Sequence, residues 1–536
     1  MSLEKIKKTL KNNNYKGFDT TNLEQIETLN HILDGDNVFI TGAGGVGKSY
    51  FISKLCDYFN AYGINYNIVT PTGISALNLN SNLKIPVATT YHSYYGFRPN
   101  SQDFSLKSLA LNRIKTTQVL IIDEISMIAS FQLDRMSRKH SKPEKDTSSI
   151  FKIKSMFSAN TNYDMMFDDF FEGTQVIMIG DLFQLPPVIK NNNVDDYPST
   201  YFFGSYALKN SKKPLIKKVF LKNYRVESSK TAQDRVKIDL FKNLLTSIRY
   251  NCLDDFYKKI LSDINNRKVI NEDKVIAAIN KNYLFLSPVN RQCEHYNDVI
   301  KKTINKPYIN ISANPSPTVK RTALKYSTLK TYLKNMFGLE AELKLKIGQK
   351  IIFTSNDNSD RKSYKNGQLG KIKSFVIVNG EVKSIVVKTE FGNVEVDKII
   401  YSKPTYAESE KLKQVTLKLM KDKNFTLETK ARAVKNTVSK WVEQFPIKDG
   451  YAITIHKSQG LTSEKTIINP DVFENGQLYV AISRSTNMDT LYFTEPIKPK
   501  HIKTDIEVLK YYYDNDLIEN EMKPLVIKKL DNHKVS

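Results

Sequence analysis

Asn37 to Leu55 reads NVFITGAGGVGKSYFISKL. A short apolar run, Val38 to Ile40, enters Gly42-Ala-Gly-Gly-Val-Gly47-Lys48-Ser49, and a stretch with helical apolar spacing follows. The residues therefore predict strand, loop and helix in that order, the context that G-x-x-x-x-G-K-[ST] requires. Gly42, Gly44, Gly45 and Gly47, with Val46 among them, let successive backbone N–H groups curl around phosphate oxygens. The helix that follows turns its positive end toward the same phosphates. Lys48 suits the β- and γ-phosphates, Ser49 suits Mg²⁺, and Tyr50 completes the expected nucleotide site. The chain is expected to bind a nucleoside triphosphate with Mg²⁺.

Two more apolar runs end in polar residues. Gln118 to Ile122 (QVLII) delivers Asp123 and Glu124, and Gln175 to Ile179 (QVIMI) delivers Gly180-Asp181-Leu-Phe-Gln184-Leu-Pro-Pro187. In a parallel sheet the C-terminal ends of strands are where ligands bind. Asp123 suits the Mg²⁺ shell, and Glu124 suits a base that orients the attacking water. The paired prolines stop regular structure and hold the Gln184 amide where it can sense a γ-phosphate. Alone, an Asp-Glu pair after a strand reads as a solvated turn. After a complete phosphate loop it reads as the rest of a nucleoside-triphosphate hydrolase.

Composition narrows the setting. The chain has 536 residues, enough for several domains, and a formal net charge of +24 spread from end to end. Such a charge suits a polyanionic partner, most simply nucleic acid. A Lys-, Asn- and Ile-rich composition of the kind AT-rich genomes encode also raises it. No apolar run approaches the ~18 residues of a membrane span, and the N-terminal MSLEKIKKTLKNNN lacks the apolar core of a secretory signal. Cys56, Cys252 and Cys293 are far apart and read as free thiols of a reducing compartment, in the cytoplasm or in a host cell if the gene is viral. Seven scattered histidines show no metal-ligand spacing.

The wording and order of the motifs resemble superfamily 1 DNA helicases of the 5′-to-3′ branch, the group of RecD, the phage helicase Dda and the PIF-type enzymes, with Dda the most similar. Leu23-Glu24-Gln25 resembles the Q motif, and Thr70-Pro71-Thr72-Gly73-Ile-Ser-Ala76 resembles motif Ia. Thr89-Thr-Tyr-His92-Ser-Tyr94-Tyr-Gly-Phe97 resembles the segment after it, and Asn223-Tyr224-Arg225 resembles motif IV. Thr454-Ile-His456-Lys457-Ser-Gln459-Gly460 and Tyr479-Val-Ala-Ile-Ser-Arg484 resemble motifs V and VI. The resemblance implies that Gln25 reads the adenine edge, Tyr224 stacks on it, and Gly460 adjoins the nucleotide. It implies arginine fingers at Arg225 and Arg484, each with an effect of roughly 10³–10⁵ in rate in other phosphoryl-transfer enzymes. It implies DNA contacts at Pro71, Thr72, Gly73, His92, Tyr94, Phe97, Thr454, His456 and Lys457, and a strand-separating wedge at Phe97 or Phe104.

The expected fold class is α/β: two RecA-like P-loop domains with small inserted subdomains, including an SH3-like β-barrel in the second. The first RecA-like domain is placed at 1–228, with a wedge insertion at 97–113 and a polar insertion at 136–172. The second is placed at 229–355 and 448–513, with a barrel and helical arm at 356–447 and a tail at 514–536. Hairpin turns are expected at Asn379-Gly380 and Gly392-Asn393, and helix over Thr405 to Phe445. The expected activity is ATP-driven opening and closing of the two domains to move along single-stranded DNA and unwind a fork, by a monomer. An ATP-switched clamp on single-stranded nucleic acid is the alternative.

Overall fold

The computed structural model describes residues 3–12, 15, 17–72, 75–76, 79, 83, 87–96, 113–141, 170–188, 197–222, 232–326, 328–337, 339–355, 357, 363–364, 368–402, 408, 411, 415, 427–459, 461 and 463–534. Gly73, Phe97, Phe104, Tyr224, Arg225 and Gly460 lie outside these residues, as does most of the 97–113 and 136–172 insertions. The chain divides into two compact units. One comprises Met1–Val275, Leu286–Pro288 and Thr454–Ser536, the other Ile276–Phe285 and Val289–Ile453.

The first unit is built on a six-stranded, all-parallel sheet. Its strands are β1 (Val38–Thr41), β2 (Tyr66–Thr70), β3 (Ala88–Thr90), β4 (Val119–Ile122), β5 (Gln175–Ile179) and β6 (Ile216–Val219), in the order β3-β2-β4-β5-β1-β6. The three central strands β4, β5 and β1 are buried at every position, which is why they read as unbroken apolar runs. Helix α1 (Leu23–Leu33) precedes β1, and α2 (Lys48–Ala61) follows it. On α2, Phe51, Ile52, Leu55, Cys56 and Phe59 recur at helical spacing and enter one core with Val38, Ile40, Ile68, Ile121 and Ile179. Each such side chain contributes about 1.5–3 kcal/mol on burial.

Helices α3 (Tyr91–Tyr95) and α4 (Ser130–Ser141) complete the sheet's surroundings. The same unit contains α5 (Ala232–Tyr250), the parallel strand pair Thr466–Ile468 and Leu491–Phe493, and helices α6 (Gln477–Ser483), α7 (Ile506–Asp514) and α8 (Lys523–Lys534). The expected boundary near residue 228 therefore does not bound this unit. Residues of α5, α6 and α7 bury polar side chains against the end of the first sheet, and those bonds draw 232–275 and 454–534 into it.

In the second unit a five-stranded sheet runs in the order Gly392–Asp397, Glu381–Thr389, Leu369–Val378, Lys350–Phe353, Ile447–Asp449, antiparallel throughout. Its buried face carries Ile351, Ile372, Ile385, Val387 and Val396. Asn379 (φ +52°) and Gly380 (φ +79°) make the two-residue turn anticipated there. The next turn falls at Glu390-Phe391, because Gly392 and Asn393 already pair with Thr389 and Lys388. The expected helix over Thr405 to Phe445 is described only at Leu427–Thr437 and in isolated residues, and Trp441–Gln444 is a strand, paired with Ile399–Ser402. There burial alternates residue by residue, Val442 and Gln444 inward and Trp441 and Glu443 half-buried, a strand pattern.

Candidate nucleotide site

The phosphate loop joins β1 to α2 as its sequence requires. Gly42 (φ +138°), Gly45 (φ +92°) and Gly47 (φ +82°) hold backbone angles that side chains resist, and Gly47 caps α2. A Cβ on Gly42 would stand 2.4 Å from the Phe220 carbonyl oxygen, so only glycine lets β6's end pack here. Lys48 Nζ donates to the carbonyls of Gly42 (2.6 Å) and Ala43 (2.9 Å), spanning its own loop. Burial pushes the ammonium below its ordinary value, while the charges of Asp181 and Glu124 pull it back up. The Lys48 ammonium is thus held by carbonyl acceptors of its own loop. Ser49 and Tyr50 are exposed beside it, and the Tyr50 hydroxyl donates to the Gly17 carbonyl at 3.3 Å.

Asp123 and Glu124 follow β4 as expected. Burial pushes the Asp123 carboxyl up to about 7, and the Glu124 charge adds to the shift. Burial also raises Glu124, against the opposing pull of Arg484 and then Lys48. Glu124 sits in the left-handed region (φ +53°), strain of the kind that accumulates at functional sites. Arg484, on the turn after α6, is fixed by carbonyls: Nε donates to Val480 at 3.1 Å and Nη1 to Leu461 at 3.2 Å. Its charge bears on Glu124.

Several buried amides of this unit have atoms with no hydrogen-bond partner among the described residues. Among them are Gln25 (Nε2) and Gln184 (Oε1), while a hydrogen bond from the Gln459 amide lowers the Glu124 carboxyl. An unmade hydrogen bond in the interior costs about 1–3 kcal/mol. Such groups, with the Lys48 ammonium in the same unit, fit a polar ligand that carries acceptors. Ser49 and Asp123 supply a hydroxyl and a carboxylate for a hard cation. Among the described residues no three His, Cys, Asp or Glu side chains form a metal cluster of their own.

The structure adds a group that the sequence did not single out. Asp181, in the loop after β5, is fully buried and accepts two bonds from Arg249 of α5, from Nε at 3.1 Å and Nη2 at 2.7 Å. The Tyr479 hydroxyl donates to its other oxygen at 2.9 Å. Arg249 Nη1 donates to the Tyr250 hydroxyl (2.6 Å), which in turn donates to Glu519. Phe183, Tyr250 and Tyr512 surround the guanidinium, their ring centroids 4.7, 4.9 and 5.6 Å from it. Burial alone would weaken that charge; Asp181, and then Tyr250, reverse the sign and hold Arg249 well above its ordinary value. The backbone of Gln184 is tied to the Asp181 carbonyl at 3.0 Å, so this network sets the Gln184 loop. The only local signal was an arginine at the end of an amphipathic helix, which does not distinguish it from a surface residue.

The proposed DNA contacts fare unevenly. Pro71 and Thr72 are half-buried after β2, and the hydroxyls of Thr72 and Ser75 share a bond of 2.8 Å. His92 is half-buried, its imidazole pushed down by burial and by Arg135. Lys457 is exposed, Thr454 is buried, and His456 Nε2 lies 2.8 Å from a Glu474 carboxylate oxygen. Tyr94 needs correction. Its side chain is 1% exposed, its hydroxyl bonds Thr117 at 2.8 Å, and Arg113 stacks on its ring at 4.6 Å. No ring face is left for a base, because α3 turns Tyr94 and Tyr95 inward.

The expected structural residues are indeed structural. Cys56, Cys252 and Cys293 are buried, and burial pushes the Cys56 thiol up to about 12. His140 is enclosed between Tyr95 and Thr174, with burial driving it down to about 3.

A glycine-rich loop between a parallel strand and a helix, a buried carboxylate pair after the neighbouring strand and an arginine whose charge bears on it define a P-loop nucleotide-binding fold of RecA type. Residues 20–258 match the PIF1-like helicase family model. It is 28% identical to the ATP-dependent DNA helicase Pif1 of Campylobacter jejuni, over 94% of this chain and 100% of that protein. It is 24% identical to the uncharacterized protein 030L of Invertebrate iridescent virus 6, over 94% and 95% of the two chains. The crystal structure of Bacteroides Pif1 bound to ssDNA superimposes with a TM-score of 0.63 at 24% identity, covering 92% of this chain and 97% of that one. Among the described residues no helix is long and apolar enough to cross a membrane.

Proposed function

We propose that the chain is an ATP-dependent DNA helicase that moves 5′ to 3′ along single-stranded DNA and opens duplex ahead of it. The observation that carries the ATPase half is the meeting of charges on Glu124. Burial raises its carboxyl, Arg484 and Lys48 pull the other way, and a hydrogen bond from Gln459 also lowers it. In this reading Glu124 orients the water that attacks the γ-phosphate, Gln184 senses that phosphate, and Lys48 and Arg484 stabilise the charge that develops on it. Ser49 and Asp123 hold Mg²⁺, which neutralises phosphate charge when bound. The unpaired Gln25 Nε2 meets the adenine, and Tyr224 and Arg225 supply a stacking ring and a second arginine.

The helicase half rests on the family match and on the exposed cation of Lys457 at the end of a strand that begins in the core. The test uses duplexes with a 5′ or a 3′ single-stranded tail. Unwinding of the 5′-tailed substrate alone is expected. Glu124→Gln should lower ATP turnover by about 10²–10⁴ and abolish unwinding, while single-strand affinity stays unchanged. An ATPase rate indifferent to single-stranded DNA, with no unwinding of either substrate, would leave a clamp instead of a motor.

A further inference from the structure

The second unit carries a row of like charges that the sheet itself does nothing to balance. In its antiparallel register Lys350 pairs directly with Lys371, and Lys371 with Lys388, so three lysines stand side by side on three adjacent strands. All three point away from the core, since their neighbours Ile351, Ile372 and Val387 fill the buried face. Directly opposed like charges destabilise a sheet, where opposite charges would stabilise it. No described carboxylate relieves the row. Asp449, on the next strand, is taken by Lys301 at 2.7 Å and by the Gln349 amide, and Glu395 accepts the Ser384 hydroxyl. Burial, and then the charge of Lys371, push the Lys350 ammonium down to about 8.

The row continues into an aromatic. Lys388 pairs with Asn393, and the turn between these strands lifts Phe391 into solvent, 72% exposed. That turn is pinned, because the Thr389 hydroxyl accepts from the Phe391 N–H at 3.2 Å and donates to the Gly392 carbonyl at 3.0 Å. Strands about 4.8 Å apart make the row about 10 Å long and one residue wide. That length fits about three consecutive phosphates of a single backbone. An exposed ring at its end offers a face to an unpaired base, which a duplex keeps stacked inside.

We infer that Lys350, Lys371, Lys388 and Phe391 form a contact for single-stranded DNA on the second unit, the lysines on consecutive phosphates and the ring on a base. The contact rests on the helicase reading, and it lies apart in the chain from every DNA contact that the motifs imply.

The test measures binding of the full chain to a fluorescent oligodeoxythymidine across a salt series. The Lys350→Gln/Lys371→Gln/Lys388→Gln variant should lower the slope of log affinity against log salt by about 2, because each phosphate contact on a single strand contributes about 0.7. The corresponding triple Lys→Arg variant should keep the slope. Phe391→Ala should weaken binding roughly tenfold at every salt concentration without changing the slope. ATPase without DNA should stay at the unsubstituted level in all three, which reports an intact first unit. Thermal midpoints should not fall in the glutamine variant, because it removes repulsion. If the unsubstituted chain binds the oligonucleotide and the glutamine variant shows the same affinity and slope, the inference is overturned, even if duplex DNA or an acidic peptide binds less well. If the unsubstituted chain binds no single strand, the helicase reading itself fails.

Discussion

Replacing Arg249 by methionine should destabilise the first unit more than any single change in the phosphate loop. The substitution keeps most of the apolar stem but removes every donor that Asp181 accepts from α5, at 3.1 and 2.7 Å. Asp181 has no exposure through which water could replace them, leaving the Tyr479 hydroxyl as its one side-chain donor. Breaking one side of a buried ion pair costs about 3–5 kcal/mol, because the stranded charge is still desolvated. Loss of the cation from among Phe183, Tyr250 and Tyr512 adds to this. Urea unfolding followed by tyrosine fluorescence should show the midpoint fall by the equivalent of at least about 3 kcal/mol. Asp181→Asn removes the charge that needs Arg249, so the double variant should recover about 2 kcal/mol or more relative to the sum of the single changes. The ATP turnover of Arg249→Met should fall as well, since the Gln184 backbone hangs from Asp181. A loss below about 1 kcal/mol, or single changes that add within about 0.5 kcal/mol, would refute the coupling.

Two further outcomes follow from the site. The Asp123 carboxyl is raised from 3.8 to about 7 in the folded chain, so the native state binds more protons than the unfolded one between those values. Nucleotide-free stability should therefore fall as pH rises from about 4 to about 7, and Asp123→Asn should flatten that dependence and raise the thermal midpoint at pH 8, while ATP hydrolysis is lost. Tyr94→Phe should cost about 1 kcal/mol of stability through its lost bond to Thr117 and leave single-strand affinity unchanged. A drop in that affinity by the equivalent of about 1–3 kcal/mol would mean that a base does reach the ring.

The phosphate loop was legible because its chemistry is local. Gly42 to Ser49 need positive φ angles, free N–H groups and a following helix, and all of these follow from residues within a few positions of one another. Asp123 and Gly180 were legible for a related reason, since the buried strands β4 and β5 announce their ends by where the apolar run stops. Tyr94 was misread because a short run of hydroxyls, aromatics and a cation looks the same whether its rings face solvent or Thr117 and Arg113. Only the pitch of α3 decides between them.

What the sequence alone made legible is the phosphate loop and the ends of the buried strands beside it, each written in contiguous residues. Tertiary structure decided what contiguity cannot express. Arg249, Tyr479 and Glu519 come from three distant segments to one buried network around Asp181, and a buried charge is tolerable only where such partners meet it. Lys350, Lys371 and Lys388 are scattered lysines along the chain and become a row only through antiparallel register. Side-chain direction within an element follows from local periodicity, but which elements lie side by side is set by how the whole core closes.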